Sequence, residues 1–201
     1  MSEAPDIAFL DFEASSLGKQ GYPIEVAWVL GSGEEESHLI RPASSWTDWD
    51  EEAEAIHGIS RDRLRAEGEP VEDVARRMVS TLSHRALYAT APSWDGKWLS
   101  RLLRTAGLPR HTLRLEDTEV AHRRAIDEAL RAAPLPAELH HGIVRDILAQ
   151  AQRRDDALGP AVHRALDDAR RELHLWLDIR RRAEDVVMQW RSDGQSSLPP
   201  Q

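Results

Sequence analysis

Residues 8–17 read AFLDFEASSL, and the two carboxylates inside that run decide how the chain is read. Ala8, Phe9, Leu10 and Phe12 suit a strand interior, where side chains two apart point to the same side of the sheet. Asp11 and Glu13 therefore face one way and repel each other, at a cost that buried backbone tolerates only where positive charge answers it. Their oxygens are hard ligands suited to Mg2+ or Mn2+. An exposed strand face carrying two solvated acids is the better explanation of a lone D-x-E, so the pair needs partners from elsewhere in the chain.

Outward from this stretch, residues 6–12 form a mostly apolar run and YPIEVAWVL (22–30) a second. GSGE (31–34) supplies a turn, and ESHLIRP (36–42) alternates as a third strand ended by Pro42. Short turns between three strands predict an antiparallel meander. Residues 43–64 read as a loop with two tryptophans, an acid run and a Gly turn. Val71, Val74, Ala75, Met78, Val79 and Leu82 then recur at helical spacing. RALYAT (85–90) and HTLRLEDT (111–118) read as short strands on either side of a helix, WDGKWLSRLLRTAGL, that stops near Gly107 and Pro109. The remainder to about residue 190 is helical, broken at APLPAEL and at LGP. The order β-β-β-α-β-α-β-α predicts an α/β fold, a mixed sheet of meander plus parallel strands flanked by helices. One domain is expected over residues 1–190, with a disordered tail over 191–201.

The 201 residues carry a formal charge of −9 and no cysteine. Disulfides, thiol catalysis and cysteine metal sites are excluded, and so is non-specific nucleic-acid binding through a uniformly basic surface. A local basic track on an acidic body is still allowed. No apolar run approaches the length of a membrane span, and the opening MSEAPDIAFLDFE lacks a secretory signal's basic and apolar regions. A cytoplasmic protein is the expectation.

Two further acidic positions matter. Asp95, in APSWDGKWLS, lies where a strand gives way to a helix, an ordinary place for a capping acid. His163, Asp167 and Asp168, in GPAVHRALDDARREL, precede or open a long amphipathic helix. Taken singly, each has an ordinary structural explanation. Taken in order, DFE, WD and HRALDDA resemble the motifs of the DEDDh 3′→5′ exonucleases, whose members include the bacterial proofreading subunit, RNase T and oligoribonuclease. The resemblance runs over roughly residues 6–180. AIHGIS (55–60) and EDT (116–118) fall where relatives carry a His-Gly turn and an Asp-Thr.

The resemblance implies an RNase H-like fold and stepwise hydrolysis of single-stranded RNA, DNA or short oligonucleotides from the 3′ end, releasing nucleoside 5′-monophosphates. It implies that Asp11, Glu13, Asp95 and Asp168 hold two divalent cations, Mg2+ or Mn2+, ~4 Å apart, with His163 as general base. The family spacing H-x-A-x-x-D-A selects Asp168. Helix geometry offers a rival, since at ~100° per residue His163 and Asp167 would share a face if one helix held both. Pro160 argues that His163 sits in a loop or first turn instead.

Substrate contacts are implied at Ala14, Ser15, Leu17, His57 and Trp94. Here ASSL replaces the usual Thr-Thr-Gly-Leu, Ala91 stands where relatives carry Asn, and Trp94 replaces Phe. Lys97, Arg101 and Arg104 recur on one helix face, as a phosphate track or a merely solvated surface. Trp46 and Trp49 are either base-stacking platforms or plugs at the edge of the core. The partner implied is a nucleic-acid 3′ end, with a homodimer as a further expectation. The alternative is a nucleic-acid-binding or interaction module that kept the fold without turnover.

Overall fold

The computed structural model describes residues 6–133, 135–160 and 162–196. Five strands, β1 (Ile7–Ala14), β2 (Pro23–Leu30), β3 (Glu35–Leu39), β4 (Ala86–Ala89) and β5 (Leu115–Asp117), form one sheet in the order β3-β2-β1-β4-β5. β1–β2–β3 is the expected antiparallel meander, and β4 and β5 add in parallel on the other side of β1. β1 is thus central, which is why its even-numbered side chains are sealed. Ala8, Leu10 and Phe12 join a core built with α3 (Val71–Leu82) and α4 (Pro92–Thr105). The spacing read in α3 buries Val71, Val74, Ala75, Met78 and Leu82. The odd-numbered side chains Phe9, Asp11 and Glu13 point to the opposite face.

Residues 43–64 are not the plain loop expected. They contain α1 (Glu51–His57) and open α2 (Arg61–Glu67). Asp50 accepts the Glu52 N–H at 2.9 Å and Ser60 the Arg63 N–H at 3.2 Å, satisfying first-turn donors. The acid run Glu51, Glu52 and Glu54 sits in the first turn of α1, where the helix dipole favours negative charge. Gly58, at φ 68°, ends α1 in the left-handed region that glycine enters at little cost. Trp46 is 3% exposed and stacks on Tyr22 at 5.1 Å, and the Trp49 indole donates to Glu54 at 2.8 Å. Both plug the edge of the core.

By packing, the chain divides into two compact units, one of residues 1–118 and 161–173, the other of 119–160 and 174–201. The first holds the sheet. In the second, α5 (Thr118–Leu130), α6 (Ala137–Asp156) and the later turns of α7 (Ala165–Ser196) pack Ile126, Leu130, Ile147, Ala151, Ile179, Ala183 and Val187 together. α7 continues through residues 191–196, so the first part of the expected disordered tail is helical, while 197–201 lie outside the described residues. Among the described residues, no helix is long and apolar enough to cross a membrane.

Candidate active site

Strand alternation places Asp11 and Glu13 on one face of β1, and the first turn of α7 brings Asp168 to them. One carboxylate oxygen from each of the three lies within 4.8 Å of the others. The start of α7 bears on the register question. Because the helix begins at Ala165, His163 precedes it and the shared-face argument for Asp167 does not apply. Asp167 points outward and pairs with Arg170 at 3.1 Å. Asp168 points inward, and its Oδ1 accepts the Val162 N–H at 3.3 Å.

Asp95 is 4% exposed in the first turn of α4. Burial lifts its carboxyl to about 7, against the smaller opposing effect of backbone groups at Ala91, Phe12 and Asp95 itself. Asp11 is held well above the usual carboxylate range, first by burial and then by the charges of Asp95, Glu13 and Asp168. Glu13 is lifted to about 7, again chiefly by burial, with Asp168 and Glu25 adding to it and Arg164 opposing. Crowded acids that resist ionisation, offering only oxygen donors, fit a divalent cation, because a bound cation relieves both desolvation and repulsion.

His163 lies in the bend before α7, exposed and at φ 56°. Histidine is among the side chains that enter this left-handed region more readily than most, at a modest cost. His57 is 5% exposed. Its Nδ1 accepts the Ile59 N–H at 3.0 Å, while Nε2 is buried without a hydrogen-bond partner. Burial lowers its pKa, against the smaller opposing charges of Glu54 and Glu25 and with Arg164 adding to the fall.

The β1–β2 loop sorts the remaining candidates. Ala14 follows a register shift at the end of β1 and is partly buried. Ser15 is fully buried, and its hydroxyl oxygen accepts the Tyr22 N–H at 3.1 Å. Ser16 donates to Asp48. Leu17 is 69% exposed at the loop tip, and Trp94, on α4 beside Asp95, is 40% exposed and stacked on Trp98. Gly21 is required by close approach, since a Cβ there would stand 2.2 Å from the Ser16 carbonyl oxygen.

Two residues escaped the sequence reading. Glu25, on β2 directly across from Glu13, is 1% exposed. It takes two hydrogen bonds from the Arg164 guanidinium, at 3.1 and 2.7 Å, and a third from the Ala165 N–H at 3.1 Å. The signal was an acid inside the apolar run YPIEVAWVL and an arginine beside His163.

No family model matches the chain, and no curated protein matches it by sequence. Solved structures do. The zinc-bound E. coli exonuclease I–ssDNA complex superimposes with a TM-score of 0.63 at 17% identity, over 98% of this chain and 46% of that one. The chain has the exonuclease I fold. Exonuclease I from Methylocaldum szegediense gives 0.62 at 15% identity, over 91% and 42%, and the E. coli enzyme with a dA16 oligonucleotide 0.60 at 17%, over 96% and 45%. The chain therefore spans less than half the length of the exonuclease I chains it matches.

Proposed function

We propose that the chain is a DEDDh-type, divalent-metal-dependent 3′→5′ exonuclease acting on single-stranded nucleic acid. The observation that carries this reading is the convergence of Asp11, Glu13 and Asp168 oxygens within 4.8 Å, beside buried Asp95, in an exonuclease I fold. Two of the matched structures are complexes with single-stranded DNA or a dA16 oligonucleotide, which favours DNA as the first substrate to test, with RNA in parallel.

Asp11, Glu13, Asp95 and Asp168 would hold the cations, Mg2+ or Mn2+. The chemistry such ions supply is acidification of a water and neutralisation of charge on the scissile phosphate. His163 would take the proton of the attacking water on a ring nitrogen, a task suited to imidazole near neutrality. Its position in the exposed bend before α7, rather than within the helix, leaves the ring open to substrate. Leu17 and Ala14 would wall the terminal nucleotide, with Trp94 stacking at the other side and the His57 Nε2–H donating at its edge. Ser15 would contribute by holding the loop rather than by touching substrate.

A 5′-labelled oligonucleotide incubated with Mg2+ or Mn2+ tests the reading. A ladder shortening from the 3′ end, lost with EDTA and in Asp11→Ala, is the expected result. Intact DNA and RNA with both metals would overturn it in favour of a binding module without turnover.

A further inference from the structure

Two of the cations on α4 are taken up by the chain itself. Residues 15–22 connect β1 to β2 outside the sheet. Lys97 Nζ donates to the Gly18 carbonyl at 2.7 Å, and one Arg101 nitrogen donates to the Gln20 and Gly21 carbonyls at 2.9 and 2.7 Å. Arg76, Arg85 and Arg131 also donate to carbonyls, but each to the residue four places before it. Lys97 and Arg101 reach back 79 to 81 residues, and both reach the same loop.

The two cations are themselves fixed. Lys97 Nζ stands 4.1 Å from the Trp98 ring centre and 4.9 Å from that of Trp94, and the Arg101 guanidinium lies over Trp46 at 5.7 Å. Trp46 in turn stacks on Tyr22, where the loop ends. The base of the loop is closed by its own backbone. The Ser15 N–H donates to the Tyr22 carbonyl at 2.9 Å, and the Ser15 carbonyl accepts the Asp50 N–H at 2.9 Å. Leu17, 69% exposed, stands at the tip beyond that closure. Its neighbours hold it in place: the Ser16 hydroxyl donates to Asp48 and accepts the Gly18 N–H at 3.0 Å, and the Gly18 carbonyl is the one that Lys97 holds. Lys97 and Arg101 lie about 200° and 240° around α4 from Asp95. One side of the helix thus turns a carboxylate towards Asp11, while the other holds the loop that follows Glu13 and Ala14.

We propose that Lys97 and Arg101 are positioning residues which, by holding the Gly18, Gln20 and Gly21 carbonyls, fix Leu17 and Ala14 as a wall for the terminal nucleotide, a role that rests on the exonuclease reading. A loop tip with few buried apolar contacts opens locally at little cost unless something ties it. Once the ties are cut, the wall is formed only part of the time, and substrate affinity falls by the fraction of time it is formed. KM therefore rises as the loop opens. The carboxylates stand on β1, α4 and α7 rather than on the loop tip, so kcat is largely kept.

The test compares the full chain with Lys97→Met, Arg101→Met and Lys97→Arg, the last keeping a cationic donor. Lys19 and Lys97 are the chain's only lysines, and Lys19 is exposed in the loop itself. A lysine-specific endoproteinase in native buffer therefore reads loop opening as a cut after Lys19, with neither metal nor substrate present. Lys97, inside α4, is cut only on unfolding and is the internal control in Arg101→Met. Both Met variants should be cut after Lys19 at least about fivefold faster than wild type, and Lys97→Arg at close to the wild-type rate. Turnover is measured with Mn2+ on a decanucleotide and on the p-nitrophenyl ester of thymidine 5′-monophosphate, which has no upstream phosphate. In the Met variants KM should rise about five- to tenfold on both substrates with kcat within about twofold, and Lys97→Arg should restore most of the loss. Unchanged cutting after Lys19, or faster cutting with an unchanged KM for the ester, overturns the role. A rise in KM confined to the decanucleotide also overturns it, in favour of contact with upstream phosphates. Failure of wild type to turn over either substrate overturns the exonuclease reading instead, and the cutting rates still decide whether Lys97 and Arg101 hold the loop.

Discussion

Glu13→Gln is predicted to stabilise the metal-free protein at mildly alkaline pH while removing nuclease activity. Burial, with the Asp168 and Glu25 charges, lifts the Glu13 carboxyl from 4.5 to about 7. Across that interval the folded protein keeps a proton that the unfolded chain has released. The stability linked to Glu13 is therefore fully present below the lower value and lost as pH rises through the upper one. At ~1.36 kcal/mol per pH unit the interval corresponds to ~3 kcal/mol. Proton sharing among the neighbouring acids brings the expected effect down to about 1–2 kcal/mol. The amide is nearly isosteric and never ionises, and its N–H groups face oxygens that accept. Urea melts in EDTA should show wild type and variant nearly equal near pH 5, and the variant ahead by about 1–2 kcal/mol near pH 8. In a thermal melt that is roughly 2–8 °C for a chain of this size. Mn2+ should reverse the order, because a cation that binds only the folded state stabilises wild type more than a site short of one ligand. No gain near pH 8, or the same gain near pH 5, would refute the reasoning.

Asp168→Asn should abolish exonuclease activity in the ladder assay, whereas Asp167→Asn loses one exposed pair with Arg170 and should keep near-wild-type turnover, with stability changed by less than about 1 kcal/mol. Arg164→Ala leaves Glu25 buried and unpaired. It should cost about 2–3 kcal/mol in urea melts, the lower end for a broken buried pair because Arg164 itself is partly exposed, and Arg164→Lys should recover only part of that. Gly21→Ala forces a methyl against the Ser16 carbonyl oxygen, 2.2 Å away. A loss of about 1–3 kcal/mol is expected, with KM raised more than kcat is lowered, because the displaced loop carries Leu17.

The meander and α3 were legible because periods of 2 and 3.6 are written in contiguous residues such as YPIEVAWVL and VEDVARRMVSTL. The carboxylates were legible because three short motifs stand in a recognisable order. The argument for Asp167 depended on one boundary, and α7 starts at Ala165, so His163 precedes the helix as Pro160 suggested. α1 and α2 were not legible, since helices of seven residues are marginal alone and exist here through their caps and packing. The setting of Ser15 was not legible for a related reason. A serine on a loop reads as available, but the hydroxyl turns inward and accepts the Tyr22 N–H, a choice made by tertiary contact. The pairing of Glu25 with Arg164 joins residues 139 apart, and no local pattern encodes it.

That pairing explains how so many acids share one face. Glu25 stands across from Glu13 in the sheet and adds to the repulsion there, so leaving it unpaired would burden the same cluster further. Arg164 could have neutralised either acid. Its guanidinium commits two nitrogens to Glu25, whose third bond is to the Ala165 N–H, a first-turn donor of α7. A carboxylate on β2 thus serves as a cap supplied from outside the helix, and the helix dipole favours it there. The consequence runs in two directions. Asp168, three residues beyond Ala165, is held at the height of Asp11 and Glu13, and His163, one residue before Arg164, stays in the exposed bend ahead of the helix. The Arg164 guanidinium is thereby committed to Glu25 rather than to Asp11 or Glu13.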